Sequence, residues 1–598
     1  LFSPCTTPLC RGCVVGLNWG PLFRRCRRVC YPCGDSLPQA VFVAKGCLPP
    51  IMSRAVLLAV VASAVLLGAF ADESHVNPPA GPIVGRVTER AREFRGVPFA
   101  QPPVGVLRWE RPKELAAWTT PLQAVTDAPA CPQDCLLPPH TCPPAQSESC
   151  LFLNVFTPRL SEIPAGGADV MVFFHGGNFK QGYAGGLLYD GTSLVNNTGV
   201  ILVTVQYRLG VLGFLNTGDT INGNYGLYDQ QRALAWVRDN IAAFGGNTSS
   251  ITIFGQSAGA MSVASHLVMQ SSRGLFHKAI MQSEPFGLTF RTDTNFHKWS
   301  ATYATQYAKC PNPQGTVDDC LRALDYSEIV AAQADSEKDL LGMSSDLLHV
   351  FLPWTPTVGG GADADLPLQP LFAFNEPSMV ADVPIMAGTV EDEGLLFVYE
   401  AFPKGMKPSE YPLLLDFIFG SSAKAVAARY PVASNTTDAR GALREVATDA
   451  LFKCATRNAT LDDSKRESDV FVYNYDHVMQ DGDKIWGPRM SFCSDSVCHG
   501  SELPFLFHPN PVTINATFTA AEDQMAASMQ AYWTNFAKTG NPGSAPASPG
   551  GAAVAWPAFD SASQKTMTLG TPDAVAQQEY LTKCEFWEAQ SWLWLNKP

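Results

Sequence analysis

Ser257 lies in Ile253-Phe254-Gly255-Gln256-Ser257-Ala258-Gly259, where the apolar run Ile251 to Phe254 stops at a glycine and a small-residue helix pattern begins. A strand turning this sharply into a helix strains the serine, lifts its hydroxyl above the sheet edge and tolerates only small neighbours. Gly255 and Gly259 supply them. Such a nucleophile elbow serves acyl transfer, although the short pattern is weak evidence alone. A developing oxyanion also needs donors, and the run Val170 to Phe174 leads directly into His175-Gly176-Gly177-Asn178. Small residues there let backbone N–H groups converge, so Gly176 and Gly177, with Asn178 as a third candidate and the amide of Ala258, form the expected oxyanion hole. A plain glycine turn is the alternative.

A serine nucleophile needs a base and an acid to orient it, and behind such an elbow the chain order is Ser, Asp/Glu, His. Downstream, the run Val383 to Ala387 ends in Gly388-Thr389-Val390-Glu391-Asp392-Glu393-Gly394. One of these three acids is a candidate, with a solvated acidic turn as the alternative. After them only His477, His499 and His508 remain. His499 stands out, because it precedes Gly500 and adjoins Cys493 and Cys498, whose bonding would stiffen its loop. A solvated or structural loop histidine is the competing reading.

These side chains need a frame. Val170 to Phe174, Val200 to Gln206, Ile251 to Phe254, Lys278 to Gln282, Val383 to Ala387 and Asp469 to Tyr475 read as buried strands. Between them Tyr225 to Phe244 is the clearest helix, with Leu227, Leu234, Val237 and Ile241 on one face and Gly245-Gly246 as its stop. Strands alternating with helices imply an α/β fold, a large mostly parallel central sheet with helices on both faces.

Further blocks narrow the fold. They are Arg95-Gly96-Val97-Pro98-Phe99-Ala100 with Pro102-Pro103-Val104-Gly105, then Ser147-Glu148-Ser149-Cys150-Leu151-Phe152-Leu153-Asn154-Val155, then Gly223-Asn224-Tyr225-Gly226-Leu227-Tyr228-Asp229-Gln230. With the elbow and the His499-Gly500-Ser501-Glu502-Leu503-Pro504-Phe505 segment, they resemble the type B carboxylesterase and cholinesterase family of α/β-hydrolases over nearly all of 82 to 595. The resemblance implies that Glu393, rather than Glu391 or Asp392, is the acid, that His499 is the base, and that Ser283 is a supporting hydroxyl near the acid. It also implies disulfides Cys131 with Cys150, Cys310 with Cys320 and Cys454 with Cys584, and an Arg108–Glu148 ion pair. Cys135 with Cys142 and Cys493 with Cys498 are local pairings added to that pattern.

Departures from the family bear on the substrate. Gln256 stands where a Glu commonly precedes the nucleophile, so a cationic alcohol loses an attraction. Cholinesterases bind quaternary ammonium on a Trp in the first disulfide loop, yet Cys131 to Cys150 holds no Phe, Tyr or Trp. Acetylcholine is therefore disfavoured. That loop is also short for a lipase lid. Asn178 replaces a third glycine, and Asn tolerates unusual φ. Trp354 and Phe397 are candidates for an acyl pocket or for core.

The chain of 598 residues carries a net charge of −13 and 46% hydrophobic residues, enough for a large core and a surface that repels nucleic acid. Ala55 to Phe70 is an unbroken apolar or small run preceded by Met52 and Arg54 and closed by Ala69-Phe70-Ala71. Residues 52–71 thus read as a signal peptide; an anchor, which needs about 20 residues, is the alternative. Residues 1–51 contain Cys10-x2-Cys13 and Cys30-x2-Cys33, with zinc-ribbon spacing, but little apolar material to fold around a metal. They are expected to be a non-native upstream segment, leaving 72–598 as the hydrolase domain. Ten cysteines remain there, beside sequons at Asn196, Asn247, Asn435, Asn458 and Asn515. Both suit a secreted glycoprotein. The expectation is a secreted serine carboxylesterase acting on small-molecule esters, with no cofactor, metal or stable membrane anchor and with the oligomeric state open. A lipase-like esterase and a non-catalytic adhesion protein of the same fold are the alternatives.

Overall fold

The computed structural model of the chain describes residues 73–310, 316–338, 352–359, 365–463, 466–545, 553–578 and 580–590. The expected upstream segment with its paired cysteine motifs, and the signal peptide, lie outside the described residues.

Along each central strand, successive side chains enter different cores, as the two-residue period of a sheet covered on both faces requires. Val170, Val172, Phe174, Ile251, Ile253, Ala279 and Met281 enter one core. Met171, Phe173, Leu202, Phe254, Ile280 and Met386 enter the other. Among the described residues the eleven strands of the central sheet are β1 (Arg86–Val87), β2 (Arg92–Pro98), β3 (Phe152–Thr157), β4 (Ala168–Phe174), β5 (Ile201–Val205), β6 (Gly246–Gln256), β7 (Lys278–Gln282), β8 (Ile385–Val390), β9 (Val470–Tyr475), β10 (Lys565–Leu569) and β11 (Ala574–Gln577). Their spatial order is β11-β10-β9-β8-β7-β6-β4-β5-β3-β2-β1. The stretch from β5 to β10 is parallel throughout. Antiparallel pairs finish both margins.

Helices α1 (Tyr225–Asn240) and α2 (Ala258–Val268) seal one face. Leu227, Leu234 and Val237 of α1 and Met261, Val263 and Leu267 of α2 all enter that core. The long helix Ala520–Thr539 covers the other face with Met525, Met529, Tyr532, Trp533 and Phe536, which follow a helical repeat. It starts at a capping box, Thr519 with Glu522, and stops at Gly540.

Two expected strand limits move. β6 begins at Gly246, because Gly246 pairs with Ala168 across a register shift and carries the polar stretch 247–250 into the ladder. β8 passes through Gly388 to Val390, whereas glycine had read as its end. A Cβ on Gly388 would lie 2.2 Å from the Tyr473 ring on β9, so this glycine makes room for a neighbouring ring rather than stopping the strand. The expected helix over 225–244 is α-helical to Asn240 and then a 3-10 turn to Phe244, closed by Gly245 at φ 95°.

Among the described residues five disulfides join Cys131 to Cys150, Cys135 to Cys142, Cys310 to Cys320, Cys454 to Cys584 and Cys493 to Cys498. Arg108 grips Glu148 through two contacts, at 2.5 and 2.7 Å. Among the sequons, Asn196, Asn435 and Asn515 are exposed, while Asn247 and Asn458 are half-buried. No helix among the described residues is long and apolar enough to cross a membrane.

The Gly388–Tyr473 contact yields a direct expectation. Gly388→Ala forces the ring aside and costs about 1–3 kcal/mol of stability, read as a lower urea midpoint. An unchanged midpoint would show that the contact is slack.

Candidate active site

Ser257 joins β6 to α2 with φ 59° and ψ −125°, a conformation that costs a non-glycine residue energy. Neighbours hold it there. Its amide donates to the Gln282 carbonyl at the end of β7, 2.9 Å away. Two residues on, a Cβ at Gly259 would lie 2.0 Å from the Phe174 carbonyl oxygen, so α2 can seat against β4 only without a side chain at this point. The strand-to-helix turn is therefore imposed by backbone packing.

β4 delivers the glycine segment. His175 is buried and stacked on Tyr207, with ring centroids 4.5 Å apart, and the Tyr207 hydroxyl donates to the His175 carbonyl at 2.7 Å. Burial pushes this imidazole down to about 4, so it is neutral and its Nδ1 donates to the Gly176 carbonyl at 2.9 Å. The chain then runs through three consecutive positive φ values, Gly177 at 110°, Asn178 at 55° and Phe179 at 57°. Phe179 pays for its share of that strain by packing against Phe214 and Phe290. Among the described residues the amides of Gly177 and Asn178 make no hydrogen bond. Ala258 opens α2, where an amide has no helical acceptor. Gly176, Gly177, Asn178 and Ser257 border one cavity.

The three acids after β8 go to three different partners. Glu391 meets the Lys453 ammonium at 2.6 Å, and Asp392 meets Arg444 at 3.1 Å. Glu393 is fully buried; its Oε1 accepts the Val390 amide at 2.9 Å, and its Oε2 lies 2.5 Å from His499 Nδ1. Of the other histidines, His477 faces Glu522 and His508 faces Asp523.

His499 is held between the rings of Phe397 and Phe452. With Nδ1 donating to Glu393, its Nε2 offers a lone pair. The Gln256 side-chain amide takes it at 3.1 Å. Ser257 and His499 border the same cavity, but no hydrogen bond joins them among the described residues. The Ser283 hydroxyl is buried at a residue with φ 51° and bonds to no group there.

The cavity measures about 80 Å³, and its walls are mostly apolar. Phe397 belongs to them, whereas Trp354 sits in a separate core with Phe296, Trp299 and Tyr303. Leu396, Glu400, Trp486 and Met490 also line it, and sequence reasoning had not singled them out. Part of this was readable: Leu396, Phe397 and Glu400 follow Glu393 at three, four and seven residues, the spacing of one helix face. Trp486 and Met490 carried no such signal. A tryptophan, Trp486, and an exposed glutamate, Glu400, thus reach the cavity from elsewhere in the chain. The lack of an aromatic residue between Cys131 and Cys150 does not by itself disfavour a cationic substrate. Among the described residues no cluster of His, Cys, Asp and Glu could hold a metal ion.

The fold and this strand-to-helix turn define an α/β-hydrolase. The profile of the Carboxylesterase family matches residues 72–587, and the chain belongs to that family of carboxylic ester hydrolases. It is 37% identical to the cAMP-regulated D2 protein of Dictyostelium discoideum over 504 residues, covering 84% of this chain and 89% of that one. It is 32% identical to the para-nitrobenzyl esterase of Bacillus subtilis, covering 82% and 93% of the two chains. A solved structure described as a thermophilic pNB esterase superposes with a TM-score of 0.71 at 29% identity, covering 86% of this chain and 99% of the other.

Glu502 lies beneath the site, fully buried, with one oxygen accepting from Gln282 at 3.1 Å and the other without a partner. Burial, reinforced by the charge of Glu393, pushes its carboxyl up to about 8. A raised carboxyl favours the folded state fully below the ordinary carboxylate range, and that contribution is lost as pH rises through the folded value. Glu502→Gln stays neutral and can still accept from Gln282. Its melting temperature should therefore fall several degrees less than that of the unaltered protein between about pH 5 and pH 9. Parallel melting curves across that range would assign Glu502 an ordinary ionised state.

Proposed function

We propose that the protein is a secreted serine carboxylesterase that cleaves carboxylic esters through an acyl-enzyme on Ser257. The reading rests chiefly on the buried Glu393–His499 hydrogen bond, which aims Nε2 at the cavity that Ser257 shares. When an ester enters, the Ser257 hydroxyl replaces the Gln256 amide on Nε2. Its Oγ attacks the acyl carbon while His499 takes the proton. The carbonyl electron pair moves to oxygen, where the amides of Gly177, Asn178 and Ala258, with Gly176 shaping the loop, stabilise the oxyanion. Collapse expels the alcohol, which leaves with the proton from His499. Water then repeats the sequence in reverse, releasing the acid and restoring the serine. Glu393 holds the imidazole in the tautomer that accepts at Nε2 and stabilises the imidazolium. The five disulfides and the exposed sequons at Asn196, Asn435 and Asn515 support passage through an oxidising compartment.

Ser257→Ala should lower kcat for p-nitrophenyl butyrate by about 10⁴-fold or more, with the melting temperature retained. A fluorophosphonate probe should label the native protein at Ser257 and leave the variant unlabelled. Labelling without turnover of any ester would point to an activated serine serving another acyl-transfer reaction. Turnover retained in the variant would remove Ser257 from the chemistry, and absence of both activities would favour a binding role for the fold.

A further inference from the structure

One short disulfide-closed loop borders the cavity, and a second backs the wall that faces it. Cys135–Cys142 closes a loop from which Leu137, Pro138 and Thr141 face inward. Cys493–Cys498 lies just ahead of His499, and its sulfurs pack in one apolar cluster with Trp486 and Met490 of the opposite wall and with Leu395 of the helix that begins at Glu393. These two walls meet. A Cβ on Gly487, next to Trp486, would lie 3.0 Å from Pro139 Cγ.

Both loops are also anchored by hydrogen bonds. The Leu136 amide donates to the Gln181 side chain at 2.6 Å, and Gln133 exchanges hydrogen bonds with Gly182 at 2.7 and 2.8 Å. On the other side the Asp392 amide donates to the Val497 carbonyl at 3.1 Å, beside the bridge between Asp392 and Cys498. Backbone tied to its neighbours and closed by a sulfur bond has little freedom to swing aside. The cavity volume, about 80 Å³, is small beside the roughly 300–1,000 Å³ of sites for drug-sized ligands.

We infer that the Cys135–Cys142 loop and the 485–490 segment, backed by Cys493–Cys498, form a fixed roof, joined at Pro139 and Gly487, that sets the longest acyl chain the enzyme accepts and restricts it to short acyl groups, acetyl to butyryl. This deepens the esterase reading and rests on it. The acyl chain is the limited part, because it stays bonded to Ser257 inside the cavity after the alcohol has left, until water arrives.

The test is kcat/KM for p-nitrophenyl acetate, butyrate and octanoate, with the leaving group constant. The unaltered enzyme should turn over octanoate at least about tenfold less efficiently than butyrate. Pro139→Gly, which removes the contact between the walls and frees the backbone there, and the double variant Cys135→Ala/Cys142→Ala, which releases one wall, should each raise the octanoate-to-acetate ratio about tenfold. General loss of folded protein lowers both rates together and does not move this ratio. If the double variant does not fold, Pro139→Gly carries the test alone. Octanoate cleaved as well as butyrate by the unaltered enzyme, or a ratio unmoved in Pro139→Gly, overturns the roof while leaving the hydrolase intact. Failure to cleave any of the three esters overturns the hydrolase reading and the roof with it.

Discussion

Everything in the site is referred to one steric constraint, the seating of α2 directly on the backbone of β4 at Gly259 and Phe174. Because no side chain separates them, the chain must reverse between Gln256 and Ala258 within a single residue. That residue is Ser257, and the Gln282 carbonyl captures its amide. The same approach puts the first amide of α2 beside the glycine segment that leaves β4. The proposed nucleophile and its donors are thus placed by one contact, deep in a sheet with cores on both faces.

Charge is arranged around this frame with equal economy. Glu391 and Asp392 each meet a cation, whereas Glu393 meets an imidazole. A second buried carboxyl, Glu502, lies within electrostatic reach of Glu393, and the two cannot both ionise cheaply in a medium that solvates ions poorly. Holding its proton longer than an exposed carboxyl would, Glu502 leaves the negative charge to Glu393. His175 follows the same logic on the other side: buried and neutral, it braces the glycine segment without adding charge there.

Much of this was legible in the residues. Strand cores such as Ile251 to Phe254 declare themselves by unbroken hydrophobicity, and the order of serine, acid and histidine survives long intervening loops. The margins were harder to read. β1 and β11 are short and partly exposed, so neither shows a sustained period. Gly388 looked like punctuation because only the fold reveals the Tyr473 ring beside it. The cavity walls split along the same line. Leu396, Phe397 and Glu400 share a helix face with Glu393, but Trp486 reaches the cavity through tertiary packing that no local pattern encodes. The Gln256 amide on His499 was also beyond sequence reasoning, since it depends on side-chain directions in segments 243 residues apart.

The bond between Cys454 and Cys584 spans 130 residues, far more than any other among the described residues. On a growing chain every other cysteine pair is complete before Cys584 has been made. Until then the stretch just ahead of Cys454, which lends the Thr448 hydroxyl to the Gly394 amide and the Lys453 ammonium to Glu391, is secured by non-covalent contacts alone. Synthesis from the N-terminus therefore makes the surroundings of Glu393 the last disulfide-clasped part among the described residues, after the turn at Ser257 and the loop of His499 have both emerged.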